Sequence, residues 1–172
     1  VILTEHALKI SKLIPNAELL VLPGVHGACV GEVCTAVPGS NQPEITVMLI
    51  KEFLDKNCTI TKDGTFHKPT GRRISACVPM HTFGHPVELD EIMDVCNTAG
   101  IALVEDAAES LGSKYKGRHT GTFGLVSAFS LNGNKTITSG GGGVIITNDS
   151  KLGKLAKHLT TQAKVFHSWE FN

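Results

Sequence analysis

Three polar residues stand where a sheet could aim them at a ligand. Asp106 follows the apolar run Ile-Ala-Leu-Val-Glu at 101–105, Ser130 closes Val-Ser-Ala-Phe-Ser at 126–130, and Lys135 lies between Asn132-Gly133-Asn134 and the glycines at 140–143. Ligands of open α/β sheets gather at the carboxyl ends of strands, so Asp106 and Ser130 could face one crevice. A carboxylate there can ligate a metal, act as a base or partner a protonated ring nitrogen; equally, it can cap a helix over Ala107-Ala108-Glu109. Flexible flanks would let the Lys135 amine approach a ligand closely, although a loop lysine is by default solvent-exposed. The glycine cluster could cradle a phosphate, but Gly133-Asn134-Lys135-Thr136 lacks the adjacent Gly-Lys of a P-loop. His81 and His85 flank a Thr-Phe-Gly turn and could line the same crevice, the plain alternative being histidines with structural partners.

The elements that must position these residues follow from periodicity. Residues 74–79 and 101–105 read as strands, and 88–98 as an amphipathic helix ended by Gly100, an order that predicts a parallel crossover. Further strands are expected at 125–130 and 143–147, then a helix capped by Asn148 or Asp149 and running to Leu159 or Thr160. Upstream, residues 6–14 have helical spacing, 19–22 form an apolar strand leading into a Gly/Pro/Ser-rich loop, and 45–54 are helical again. The polar stretch 57–73, with turn signals at Lys62-Asp63-Gly64 and Lys68-Pro69-Thr70-Gly71, reads as a hairpin or irregular excursion and as the main boundary of the chain.

Composition narrows the class. Of 172 residues 41% are hydrophobic, enough for a globular core, and sixteen basic residues balance sixteen acidic ones. That balance gives no electrostatic reason to expect nucleic acid or an anionic membrane as partner. No apolar run reaches the roughly 20 residues of a membrane span. The five cysteines are odd in number, and Cys77 and Cys96 fall in apolar segments, which points to reduced, buried thiols and a cytoplasmic setting. Val1 in place of an initiator methionine points to a chain that starts within a longer protein.

Taken in order, Val-Glu-Asp-Ala-Ala-Glu-Ser (104–110), Gly-Thr-Phe-Gly (121–124), Phe-Ser-Leu-Asn-Gly-Asn-Lys (129–135) and Thr-Ser-Gly-Gly-Gly-Gly (138–143) resemble the sugar aminotransferases of the DegT/DnrJ/EryC1/StrS family. The likeness covers about two thirds of the chain, from residue 58 onward. It implies a three-layer α/β fragment of the large domain of a fold-type I transferase dependent on pyridoxal 5′-phosphate (PLP). Asp106 would partner the pyridine nitrogen, so that the ring stays protonated and withdraws electrons. Lys135 would bind the cofactor covalently, yield to the incoming amine, and then carry the proton between substrate and cofactor, a task that calls for a partly desolvated amine. Ser130 falls at the position that bonds the cofactor phosphate. Glu109 matches a position near the ring hydroxyl where relatives often have glutamine. A lysine at 135, where the family's dehydratase branch has histidine, favours transamination.

Within the family, the motifs at 129–135 and 159–164 are most similar to enzymes of bacillosamine and legionaminic-acid synthesis. The implied substrates are a UDP-linked 4-keto-6-deoxy hexose and an amino-acid donor, glutamate, with a homodimer as the assembly. Relatives carry further segments on both sides, so the opposing expectation is a fusion or fragment without turnover.

Residues 1–56 tell another story. Leu-Ile-Pro-Asn-Ala-Glu-Leu-Leu-Val-Leu-Pro-Gly-Val-His-Gly at 13–27 resembles the last strand and histidine loop of an α/β-hydrolase, with His26 as its base. No Gly-x-Ser-x-Gly elbow accompanies it. The expected division is therefore a hydrolase-like segment at 1–56 and a partial aminotransferase domain at 57–172. His26, Cys29 and Cys34 have a usable metal-ligand spacing but no evident fourth ligand.

Overall fold

The computed structural model describes residues 42–161. The helix and strand expected at 6–14 and 19–22, and His26, Cys29 and Cys34, lie outside the described residues.

Helix α1 (Gln42–Asn57) places Val47, Ile50, Phe53 and Leu54 at helical spacing and turns them into a common core with the helix and strands that follow. The polar stretch after it is an ordered hairpin. Strand β1 (Cys58–Thr61) pairs antiparallel with β2 (Gly64–His67), and the Thr61 hydroxyl donates to the Gly64 carbonyl at 3.0 Å across the turn. Strand β3 (Arg73–Ile74) extends this small sheet, pairing with β2.

The single strand expected at 74–79 is two. At Ser75 the chain leaves the antiparallel sheet, and β4 (Ala76–Cys77) joins a second sheet beside β5 (Ala102–Asp106). The crossover between them is α2 (Leu89–Ala99), one residue off its expected bounds at each end. Leu89, Ile92, Val95, Cys96 and Ala99 form its buried face, and each large apolar side chain buried there contributes about 1.5–3 kcal/mol. Gly100 ends the helix in the left-handed region at φ 61°, its N–H reaching back to the Cys96 and Asn97 carbonyls.

The second sheet continues with β8 (Val126–Ser130), parallel to β5, and β9 (Gly143–Ile146), antiparallel to β8, in the order β4-β5-β8-β9. Between β5 and β8 a two-stranded hairpin forms from β6 (Lys114–Tyr115) and β7 (Arg118–His119). Helix α3 (Ser150–Thr160) follows β9, and of the two candidate caps the structure uses Asp149, whose carboxylate accepts from the amides of Lys151 at 2.8 Å and Leu152 at 3.1 Å. None of the described helices is long and apolar enough to cross a membrane.

Because β4, β5 and β8 are mutually parallel, their carboxyl ends open on one side of the sheet. The segments leaving those ends are 78–88, 107–125 and 131–142, and among the described residues they contain every one singled out for chemistry except Asp106 and Ser130, which are the last residues of their strands.

Candidate active site

Asp106 is fixed by its backbone on both sides. Its N–H donates to the Pro79 carbonyl at 2.9 Å, its carbonyl accepts from the His81 N–H at 3.0 Å, and the next amide, of Ala107, donates to the Ala128 carbonyl of β8 at 3.0 Å. The carboxylate turns to the following turn, where Oδ1 accepts from the Ala108 N–H at 3.1 Å. No helix follows for it to cap; instead this oxygen braces the turn that carries Glu109.

Glu109 sits three residues on and bridges two segments. Its Oε1 accepts from Lys135 Nζ at 3.1 Å, and its Oε2 accepts from the Phe83 N–H at 2.7 Å. Phe83 is a non-glycine residue in the left-handed region at φ 51°, held there between His81 and Gly84. Lys135 is thus not the exposed loop lysine of the default expectation: only 16% of its side chain is exposed, against 27% for Glu109.

The loop that delivers Lys135 is anchored at Leu131. The Leu131 amide donates to the Gly142 carbonyl at 3.0 Å, and its carbonyl accepts from the Ser139 amide at 3.1 Å and the Thr138 hydroxyl at 3.0 Å. Inside this ring the Lys135 N–H closes a turn onto the Asn132 carbonyl at 3.0 Å. Ser130, at the root of the loop, accepts from the Asn132 N–H at 3.3 Å. By strand register Ser130 lies two residues beyond Ala128, the partner of Asp106. All four predicted site residues therefore gather at the same end of the sheet, and the Lys135–Glu109 ion pair closes the group. Among the described residues no cluster of His, Cys, Asp or Glu could hold a metal ion.

Beneath them lies a network that sequence reasoning missed. Glu105 is fully buried, and its carboxylate accepts four hydrogen bonds: from the amides of Phe123 and Gly124 at 2.7 Å each, from Gly121 at 2.6 Å, and from His81 Nε2 at 3.1 Å. Burial acts to raise the Glu105 pKa, but the bonds from His81 and the three amides outweigh it and hold the carboxyl below its ordinary value. His81 is also fully buried, and its Nδ1 accepts from the Val87 N–H at 3.3 Å. The proton is thereby assigned to Nε2, which donates to Glu105. His81 has a structural role, as its alternative reading anticipated, and does not line the crevice. A signal was present in the sequence: strand alternation puts Glu105 on the face of buried Leu103, where a carboxylate requires several donors.

The glycines of Gly-Thr-Phe-Gly are the counterpart of that carboxylate. A Cβ on Gly124 would stand 2.6 Å from the Leu103 carbonyl oxygen, and one on Gly121, at φ 79°, would stand 2.5 Å from the Phe129 ring. Only glycine lets this turn come close enough to give three amides to one carboxylate. Thr120 and Ser127 complete the turn, with the Thr120 hydroxyl on the Ser110 carbonyl at 3.0 Å and the Ser127 hydroxyl on the Gly121 carbonyl at 2.6 Å.

The model of the DegT/DnrJ/EryC1/StrS aminotransferase family matches residues 55–170. The chain belongs to that family. GDP-perosamine synthase of Escherichia coli O157:H7 is 41% identical over 95 residues, which are 55% of this chain and 26% of the relative. Among solved structures, Helicobacter pylori PseC, an aminotransferase of pseudaminic acid biosynthesis, superposes with a TM-score of 0.53 at 30% identity, covering 57% of this chain and 26% of that one. An E. coli GDP-4-keto-6-deoxy-D-mannose-3-dehydratase with bound hydrated PLP gives 0.51 at 26% identity, covering 64% and 24%. The described sheets and helices are a fragment of the fold-type I transferase architecture, and PLP is the cofactor of the family. This family member spans about a quarter of the length of the curated relatives it matches.

The donor set fits that cofactor. A shielded amine on Lys135, a strand-end carboxylate on Asp106 and a strand-end hydroxyl on Ser130 are the groups needed for an aldehyde carbon, a pyridine nitrogen and a phosphate.

Proposed function

We propose that this chain carries the cofactor half-site of a PLP-dependent sugar aminotransferase, which moves an amino group from an amino acid to a nucleotide-linked keto-sugar. The observation that carries the reading is the Lys135 amine, largely buried and held 3.1 Å from Glu109 beside the strand ends of Asp106 and Ser130.

PLP bound there supplies an electron sink for the carbanion formed when the donor's α-proton leaves. Asp106 contributes a fixed negative charge that keeps the pyridine nitrogen protonated. Ser130 Oγ would hold the phosphate by donating a hydrogen bond. Lys135 Nζ would hold the cofactor and, when free, would serve as the base and acid that moves the proton. Glu109 holds Nζ in place and, through its second oxygen, holds the 81–85 loop over the same site. A lysine rather than a histidine at 135 favours amino transfer over dehydration.

The finer reading of the substrate is a UDP-linked 4-keto-6-deoxy hexose with glutamate as donor, resting on the motifs at 129–135 and 159–164. We place the boundary of the aminotransferase region near Asn57, the hydrolase-like segment lying before it. The support is the family match from residue 55 onward, whereas the packing of α1 on that region through Val47 and Leu54 favours the alternative that this helix already belongs to it. A homodimer in the cytoplasm is the setting we assign to the whole protein.

The chain's coverage of only a quarter of its relatives favours one second reading, a remnant without turnover. The test is to titrate the protein and Lys135→Ala with PLP, following visible absorption, and then to add glutamate with UDP- or GDP-linked 4-keto-6-deoxy sugars. A lysine-dependent band and an aminated UDP-sugar support the full reading. A band without turnover supports the remnant, and absence of the band removes the cofactor reading and leaves only the remnant.

A further inference from the structure

We infer that His81 and Glu105 act together as positioning residues for Asp106, setting the angle at which its carboxylate meets the pyridine nitrogen. The inference rests on the cofactor reading above and adds to it two residues that touch no ligand.

The geometry is a two-point clamp. The His81 N–H bonds the Asp106 carbonyl at 3.0 Å, while its ring Nε2 bonds the Glu105 carboxylate at 3.1 Å, so adjacent residues of β5 are gripped by one histidine. Both side chains are fully buried. Glu105 then ties the same point to the Gly121, Phe123 and Gly124 amides. His81 is tied in turn to Val87. The segments leaving β4 and β5 are thus joined under Asp106. Strand alternation puts Glu105 on the opposite face from Asp106, so the clamp acts through the backbone and leaves the ligand side clear.

The chemistry of the clamp requires an acceptor at both carboxylate oxygens. In Glu105→Gln one oxygen can still serve Phe123 and Gly124, but the amide nitrogen faces two donors, Gly121 N–H and His81 Nε2–H. Flipping the histidine tautomer does not help, because Nδ1–H would then face the Val87 N–H. His81→Gln, in contrast, offers one donor and one acceptor and can satisfy both neighbours; His81→Leu can satisfy neither.

The experiment compares PLP affinity and the spectrum of the Lys135 adduct in the full chain and in Glu105→Gln, His81→Gln and His81→Leu. Leu89→Ala, in the core of α2, serves as a control for lost stability. Glu105→Gln and His81→Leu are expected to weaken PLP binding roughly tenfold or more, the scale on which partners of a ligand-holding group act. Their adduct spectrum should shift toward that of Asp106→Asn. His81→Gln should restore wild-type values, and Leu89→Ala should lower the unfolding midpoint with affinity unchanged. If Glu105→Gln does not fold, the two His81 variants decide alone. Equal affinity and spectrum in folded His81→Leu and wild type, or an equal loss in Leu89→Ala, overturns the inference while the cofactor reading stands. No wild-type adduct at Lys135 overturns both.

Discussion

Lys135 Nζ and Glu109 Oε1 are 3.1 Å apart, joining a loop beyond β8 to the turn beyond β5. The two are 26 positions apart in the chain, and the contact exists only because β5 and β8 are parallel neighbours whose carboxyl ends open on the same side. The same carboxylate fastens the Phe83 amide. Glu109→Ala removes the acceptor from both donors and is expected to cost about 1–3 kcal/mol of stability. Glu109→Gln keeps one carbonyl acceptor and should cost less. Urea unfolding of the two variants checks the order, which a cheaper alanine would reverse.

Asp106→Asn keeps an oxygen for the Ala108 amide, so the fold should be unaffected. In the proposed role it removes the charge that would partner the ring nitrogen, and a charge-assisted bond contributes about 1.5–3 kcal/mol. PLP affinity should therefore fall by about one to two orders of magnitude. Binding titration and a thermal unfolding curve together separate this from general damage.

Glu105 gives the protein an acid limb in its stability. Its folded pKa lies below the ordinary value, so its contribution is complete above the unfolded carboxylate value, about 4.3, and is lost as pH falls through the lower folded value. Urea midpoints of the wild type should drop across that window. Glu105→Gln should start lower at neutral pH, by about 1–3 kcal/mol, and show a flatter acid limb. Parallel profiles would contradict the assignment.

Gly124→Ala would push a Cβ to 2.6 Å from the Leu103 carbonyl oxygen, a backbone atom with no room to retreat. The expected cost is about 1–3 kcal/mol from overpacking, with the Glu105 network loosened. Gly141, in the other glycine-rich segment, has nothing within 4 Å of an added Cβ, so Gly141→Ala should leave the thermal midpoint nearly unchanged.

Much of this was legible in the residues. The buried stripe of α2, its stop at Gly100 and the Asp149 cap are local signals, read from spacing and side-chain chemistry, and they place the elements within a residue or two. Strand ends and an ordered set of motifs mark Asp106, Ser130, Glu109 and Lys135, and the structure puts all four at one end of the sheet. The split of 74–79 was not legible, since an apolar run carries no mark of which sheet each half will join. Strand alternation marks Glu105 itself, but its donors were not legible, because they come from residues 81 and 121–124 and meet only when the chain has folded. The β6–β7 hairpin is two residues per strand and too short to leave a periodic pattern.

The central claim is that Lys135 is the residue that binds PLP. Purified protein should be incubated with PLP, reduced with borohydride, digested and mapped by mass spectrometry, beside Lys135→Ala. The account predicts that the reduced pyridoxyl adduct concentrates on Lys135 and that the visible band disappears in the variant. Labelling of Lys135 no stronger than that of exposed lysines such as Lys56 or Lys116 would contradict it.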